Sequence, residues 1–458
     1  MSAAVKTKPV ADYQQFLERK AIIDPMTGIA DVPQLPDCLF PFQRDVTNWA
    51  LKRGRAALFE GTGLGKSLQE LVWCSEVARE TKREVVHFAP LAVTAQMHRE
   101  AVKFGVDPQT IVNYQRMSHH DLPKAGGICL DESSILKSVD GHYRSALIEA
   151  CANVPFRLAA TATPAPNDFM ELGNHAEFLG IMKYTDMLAT FFTHDGGDTA
   201  KWRLRGHAEN DFWKWMASWA VMLRKPSDLG YSDEGYDLPP LNYIEHRVGV
   251  EYAPSLDTGF LFPIQAHTLS ERIAARRATV ENRVEKAAEV TTGDDQFVWW
   301  CNLNAEAELA AKRMGAVNLH GGLSDSEKER IIIEFQDGKI KRLVTKASIA
   351  GFGVNWQSCH RTGFIGLNDS WEQFYQAIRR FWRFGQTKPV EAHIVVSELE
   401  GATVANIRRK EADADRMAAA MVMHMADLSS EAVRGSVRDV PDYNPTVPVQ
   451  LPDFVRSI

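Results

Sequence analysis

The chain has 458 residues, 45% hydrophobic and 24% charged, with a net charge of -7. That length suggests two or three domains with ample core material, and the negative balance excludes a global basic field, so a polyanion must meet a local patch. The six cysteines are scattered, without a close pair or a histidine at ligand spacing; no apolar run approaches the roughly 18 residues of a membrane span, and the N-terminus lacks a signal-peptide core. Buried free thiols, no zinc or disulfides, and a soluble protein of the cytoplasm are therefore expected.

Residues 1–34 read as an N-terminal extension with a short helix around Tyr13–Ala21. Leu39–Val46 (LFPFQRDV) leads into a helical stretch at Thr47–Leu51. The apolar run that follows ends in Leu58–Ser67, LFEGTGLGKS, at the start of a segment with helical periodicity, Leu68–Ala78. Glycines at 61, 63 and 65 let the backbone curl so that successive N–H groups face phosphate oxygens. In such a loop Thr62 and Leu64 lend backbone donors, Lys66 reaches the β- and γ-phosphates, and the Ser67 hydroxyl is placed for Mg²⁺. Glu60 occupies the position where the general phosphate-loop pattern has its first glycine.

Val85–Pro90 reads as a strand, Val93–Phe104 as a helix and Ile111–Tyr114 as a second strand. A third, Ile128–Ser134, closes on Asp131 and Glu132. Strands alternating with helices imply a parallel sheet whose ligands sit at the carboxyl ends of the strands. There Asp131 suits the Mg²⁺ shell and Glu132 the attacking water, although adjacent acids after a strand are also common in solvated turns. Arg157–Pro164 is a further strand ending in Thr-Ala-Thr-Pro. Phe212–Trp219 is an aromatic helix whose Trp215 and Trp219 share a face, and core packing is the reading favoured over base stacking. Residues 231–292 read as a linker containing a helix with Arg272, Arg276, Arg277 and Arg283, a basic face that could meet DNA. A second α/β lobe follows, with Phe297–Cys301 and Val317–His320 as strands, Ala305–Met314 as a helix, and Ser324 capping a helix that runs to Phe335. Gln376–Gln386 (QAIRRFWRFGQ) carries Arg380 and Arg383 three residues apart on one helical face. Residues 402–425 form a final helix before a proline-containing tail, and no wedge hairpin for parting strands is evident.

GTGLGKS, DESS, TATP and QAIRRFWRFGQ, in this order, resemble the motifs of superfamily-two helicases and translocases. More narrowly the chain is similar to their Swi/Snf-type branch, in its compact bacterial and phage form. LFPFQRD resembles the adenine-reading glutamine motif, which makes Gln43 the adenine reader. EGTGLGKS resembles that branch's DEMGLGKT, where the first glycine is also missing. DESSILKS resembles DEAH-x-x-K-N with Ser134 in place of the histidine, and TATPAPNDFMELGN matches at Asn167, Glu171 and Leu172. Leu343–Trp356 resembles motif V, with Gly353 beside the nucleotide and Trp356 in the usual leucine's place.

The resemblance implies an α/β fold: two tandem RecA-like parallel-sheet lobes with a small helical insertion and a C-terminal strap. Lobe one would span 35–230, with its helical segment at about 175–225, and lobe two 293–425, followed by the tail 426–458. It further implies ATP and Mg²⁺ as cofactors, Arg380 and Arg383 as arginine fingers, Gln376 beside the cleft, and DNA held by its backbone, duplex above all. Protein partners in replication, recombination or defence fit the compact size. The alternatives are an RNA helicase, a motor subunit of a larger restriction or defence complex, and a binding module without ATPase activity.

Overall fold

The computed structural model describes residues 26–137, 141–166, 168–195, 198–249, 277–350, 355–367, 370–398 and 401–434. The Tyr13–Ala21 helix, Asn167, Arg272, Arg276, Gly353 and the tail beyond 434 lie outside them. No helix among the described residues is long and apolar enough to cross a membrane.

The first lobe is a sheet of β1 (Arg55–Glu60), β2 (Val85–Ala89), β3 (Thr110–Asn113), β4 (Gly127–Asp131) and β5 (Phe156–Ala160). After a short hairpin, β6 (Phe192–Asp195) and β7 (Asp198–Leu204), the chain returns as β8 (Ala220–Leu223). The order is β3-β2-β4-β5-β1-β8, with every pairing parallel. Runs such as VVHFA and GICLD are buried throughout because helices cover both faces of a parallel sheet. One face takes the helices Pro41–Arg53 and Lys66–Thr81. The other takes Leu172–Leu179, Tyr184–Phe191 and Glu209–Ala217. Trp215 and Trp219 are fully buried there, as core packing required.

The second lobe is built from β9 (Leu241–Val248), β10 (Phe297–Cys301), β11 (Val317–Leu319), β12 (Arg342–Thr345), β13 (Arg361–Ile365) and β14 (Val390–Ser397). Their order is β11-β12-β10-β13-β14-β9, again all parallel. The stretch read as a linker therefore contains an edge strand of this sheet. β9 pairs with β14 over eight residues, a bond invisible to local periodicity because its partner lies about 150 residues on. Arg283 likewise departs from the DNA-facing role. It is fully buried on the helix Val280–Val290, and its guanidinium meets Glu306 at 2.5 Å.

Trp356 has a packing reason: its indole is buried among Trp300, Phe335 and Phe381, filling lobe two where a leucine would leave a void. The final helix runs Gly401–Arg434, past the expected boundary at 425. Val404 and Ile407 sit in the second lobe's core, while Met421, Val422 and Met425 enter the first's, so this helix straps the lobes together. The β6–β7 pair is antiparallel, with Phe192 opposite Leu204 and His194 opposite Trp202.

Glu306→Ala leaves the Arg283 charge buried beside an empty place, and is expected to destabilise the second lobe by about 3–5 kcal/mol in urea unfolding. Replacing both, as Arg283→Met with Glu306→Leu, should recover most of that loss.

Candidate active site between the two lobes

In the first sheet β4, β5 and β1 are neighbours, so the loops leaving their carboxyl ends meet at one edge. Those loops are the glycine-rich stretch after β1, the acid pair after β4 and Thr161–Pro164 after β5. The helix after the first loop begins at Lys66, and Gly65 and Gly63 both have positive φ, +83° and +93°. A side chain at either would also collide, with Gln43 Nε2 at 2.3 Å from a Cβ on Gly65 and Phe384 N at 2.9 Å from one on Gly63. Both positions thus demand glycine for conformation and for space.

Gln43 fixes the loop from below. Its Nε2 donates to the Leu64 carbonyl at 2.7 Å, and its Oε1 accepts from Phe40 N at 2.9 Å. Lys66 Nζ donates to the carbonyls of Glu60 (2.8 Å) and Gly61 (3.4 Å). Glu60 itself is buried, held by Gln69 Nε2 at 2.8 Å, and burial raises its carboxyl to about 7 although Lys66 and Gln69 pull it down. Thr62 Oγ1 is buried without a partner, and Ser67 opens the helix beside it.

Asp131 is buried at the end of β4. Glu132 follows with φ +53°, a left-handed conformation that costs a non-glycine residue about 1–3 kcal/mol. The twist turns its carboxylate off the strand axis, where the Thr161 hydroxyl donates to it at 3.5 Å. Burial raises both acids, and each also feels like charge: Glu70 and Glu132 act on Asp131, Glu372 and Glu70 on Glu132. Lys66 opposes the shift at both, and Arg380 opposes it at Glu132.

That arginine comes from the other lobe. Arg380 is buried, its Nη2 donating to Gln376 Oε1 at 2.8 Å and its Nε to the Gln376 carbonyl at 3.0 Å. Burial lowers it to about 10 while the Glu132 charge pulls it up. Arg383 is lowered by burial too, and is drawn up by Glu100 and Glu132 of lobe one. The α-helix ends at Ile378, before either arginine, so they do not share a helical face as the spacing suggested. Trp356 N donates to the Arg380 carbonyl at 3.0 Å, and the chain turns through Gly385 at φ +87°. Arg379 points elsewhere, stacked over Tyr375 and Trp382.

Lobe one and lobe two also touch away from the acid pair. Phe384 packs on Phe40 and Tyr236 beside Gln43, Lys137 pairs with the buried Glu372, and Arg99 lies 3.5 Å from Glu329. A cavity of about 620 Å³ opens between the lobes onto Glu132, lined among others by Leu91, Arg99, Lys328 and Glu372. Glu372 was not foreseen, although it stands four residues before Gln376 and so shares its face of the helix Trp371–Ile378.

Residues 283–385 match the helicase conserved C-terminal domain family, a span holding both arginines and most of the second sheet. No curated protein matches the chain. Among solved structures it is similar to the Sulfolobus solfataricus SWI2/SNF2 ATPase core in complex with dsDNA, at 19% identity and a TM-score of 0.39, over 88% of this chain and 98% of that one.

Gln43→Ala strips the Leu64 carbonyl and the Phe40 N–H of their partner. Lobe one is expected to lose about 1–3 kcal/mol in thermal or urea unfolding, with the loop newly open to proteolysis.

Proposed function

We infer that this chain is an ATP-driven motor of the Swi/Snf type that moves along DNA, with duplex as its track. One observation carries the reading: the glycine-rich loop of lobe one lies against the arginine turn of lobe two, a Cβ on Gly63 falling 2.9 Å from Phe384 N and 3.7 Å from the Arg383 Cβ, so that Arg380 and Glu132 face the same cleft and each other's charge. Together with Lys66 they form the charge set that phosphoryl transfer to water needs. The helicase-type match in lobe two and the order of the motifs support nucleic acid as the track. The preference for duplex DNA follows the Swi/Snf resemblance.

The residues fit the expected ligands. A loop that admits no Cβ at 63 or 65, with a partnerless Thr62 hydroxyl inside it, suits an anion held by backbone donors. The Ser67 hydroxyl and Asp131 carboxylate are hard oxygen donors that would hold Mg²⁺, which when bound neutralises phosphate charge. Lys66 would leave the Glu60 and Gly61 carbonyls for the phosphates. Glu132 would orient the attacking water and accept its proton, and Arg380 and Arg383 would stabilise the charge that develops on the transferred group. Gln376 acts here through Arg380, holding the guanidinium in place. Because the cations come from both lobes, hydrolysis requires closure, and product release permits opening; that cycle would step the grip along the phosphates.

ATP turnover measured without nucleic acid and with duplex DNA, single-stranded DNA or RNA tests the reading. Duplex DNA should stimulate it most, and Glu132→Gln should abolish it. Arg380→Ala should lower it about 10³–10⁵-fold with little change in DNA affinity. Binding should weaken steeply between about 50 and 200 mM salt and show no sequence preference. Stimulation by RNA alone would move the track to RNA; absence of turnover under every condition would sink the stand-alone motor.

A further inference from the structure

A second group of reactive side chains lies inside lobe one, behind the acid pair and buried in the core. Cys74 comes from the helix Lys66–Thr81, His87 from β2 and Cys129 from β4. All three are fully buried, and each offers one ligand atom within 4.8 Å of the other two. Glu70, one turn before Cys74 on the same helix face, joins them: its Oε2 lies 2.9 Å from His87 Nε2 and it too is fully buried.

That hydrogen bond assigns the ring's roles. With Nε2–H donated to the carboxylate, the lone pair is left on Nδ1. Nδ1 is buried and faces the Cys74 thiol, a weak donor that also bonds Cys129. Glu70 Oε1 is buried without a partner. An apolar core usually excludes such an orphan, since it costs about 1–3 kcal/mol. Two thiols, an imidazole lone pair and a carboxylate that orients the imidazole are instead the donor set of a thiophilic metal ion.

The geometry points to a buried cation site for Zn²⁺ or Cu⁺, with Cys74, Cys129 and His87 as ligands and Glu70 holding the imidazole. Soft sulfur ligands select these ions over Mg²⁺, so the site is chemically separate from the one at Ser67 and Asp131. Two thiolates offset the charge of a bound Zn²⁺, and entry would release the thiol protons to solvent. Cys129 lies two residues before Asp131, and Cys74 lies two turns after Lys66, so the ion would pin the phosphate-loop helix to the strand that carries the acid pair. The ligands sit on three elements at separations of 13 and 42 residues, which is why no local spacing signals them.

The test is elemental analysis of the full chain, refolded under reducing conditions with zinc or copper(I) and then dialysed against EDTA. About one ion per chain should remain, and which metal remains distinguishes the two sources. Glu70→Gln should weaken retention about 10–100-fold, Cys74→Ser and Cys129→Ser should abolish it, and Cys301→Ala in lobe two should leave it intact. The unsubstituted chain loaded with Co²⁺ should show sulfur-to-metal charge-transfer bands, a readout that survives any failure of the variants to fold. No zinc or copper retained, metal retained by Cys74→Ser, or a cobalt spectrum without thiolate bands would each overturn the assignment.

Discussion

Two adjacent carboxylates, one buried at the end of a strand and the next half-buried just beyond it, cannot both stay ionised unless cations face them, and that constraint organises the molecule. Burial pushes Asp131 and Glu132 toward their neutral forms, and like charge adds to the push, from Glu70 and Glu132 at Asp131 and from Glu372 and Glu70 at Glu132. Lys66 answers from the same lobe and Arg380 from the other. The lobe-two arginine is as dependent on the acids as they are on it, since burial pulls it down to about 10. The strained φ of Glu132 falls at the same place, where its carboxylate meets the Thr161 hydroxyl and lines the cavity between the lobes.

The rest of the architecture holds this arrangement together. Parallel sheets bring three loops of lobe one to one edge, and the order β4-β5-β1 places the acids, the threonines and the glycine-rich loop side by side. In lobe two the buried Trp356 donates its backbone N–H to the Arg380 carbonyl, so a core residue fixes where that arginine stands. Phe384 rides on the glycine-rich loop, and the 34-residue terminal helix contributes to both cores. The contacts between lobes are partly polar, as Lys137 with Glu372 and Arg99 with Glu329 illustrate, which suits surfaces that part and rejoin.

The loops that meet at the cleft were legible in the sequence because each leaves a local trace. Glycines at alternate positions, a lysine and a hydroxyl in succession, and an acid pair closing an apolar run all depend on residues near one another in the chain. What stayed hidden depends on distant partners. β9 looks like linker until β14 supplies its ladder, Arg283 looks like a surface cation until Glu306 is found beside it, and the Cys74–His87–Cys129 group has no spacing signature at all. The turn that carries Arg380 and Arg383 misled for a different reason: three-residue spacing is shared by a helix and by the irregular turn that follows one.

The central claim is that nucleotide is held between the lobes and closes them. The most direct measurement is the distance between spin labels at Val102→Cys on lobe one and Val317→Cys on lobe two, both exposed, with the partly exposed Cys38 replaced by serine. With duplex DNA present, a non-hydrolysable ATP analogue should give one short, narrow distance distribution, and ADP should give a longer and broader one. A distribution indifferent to nucleotide, while the analogue is bound, would contradict the account.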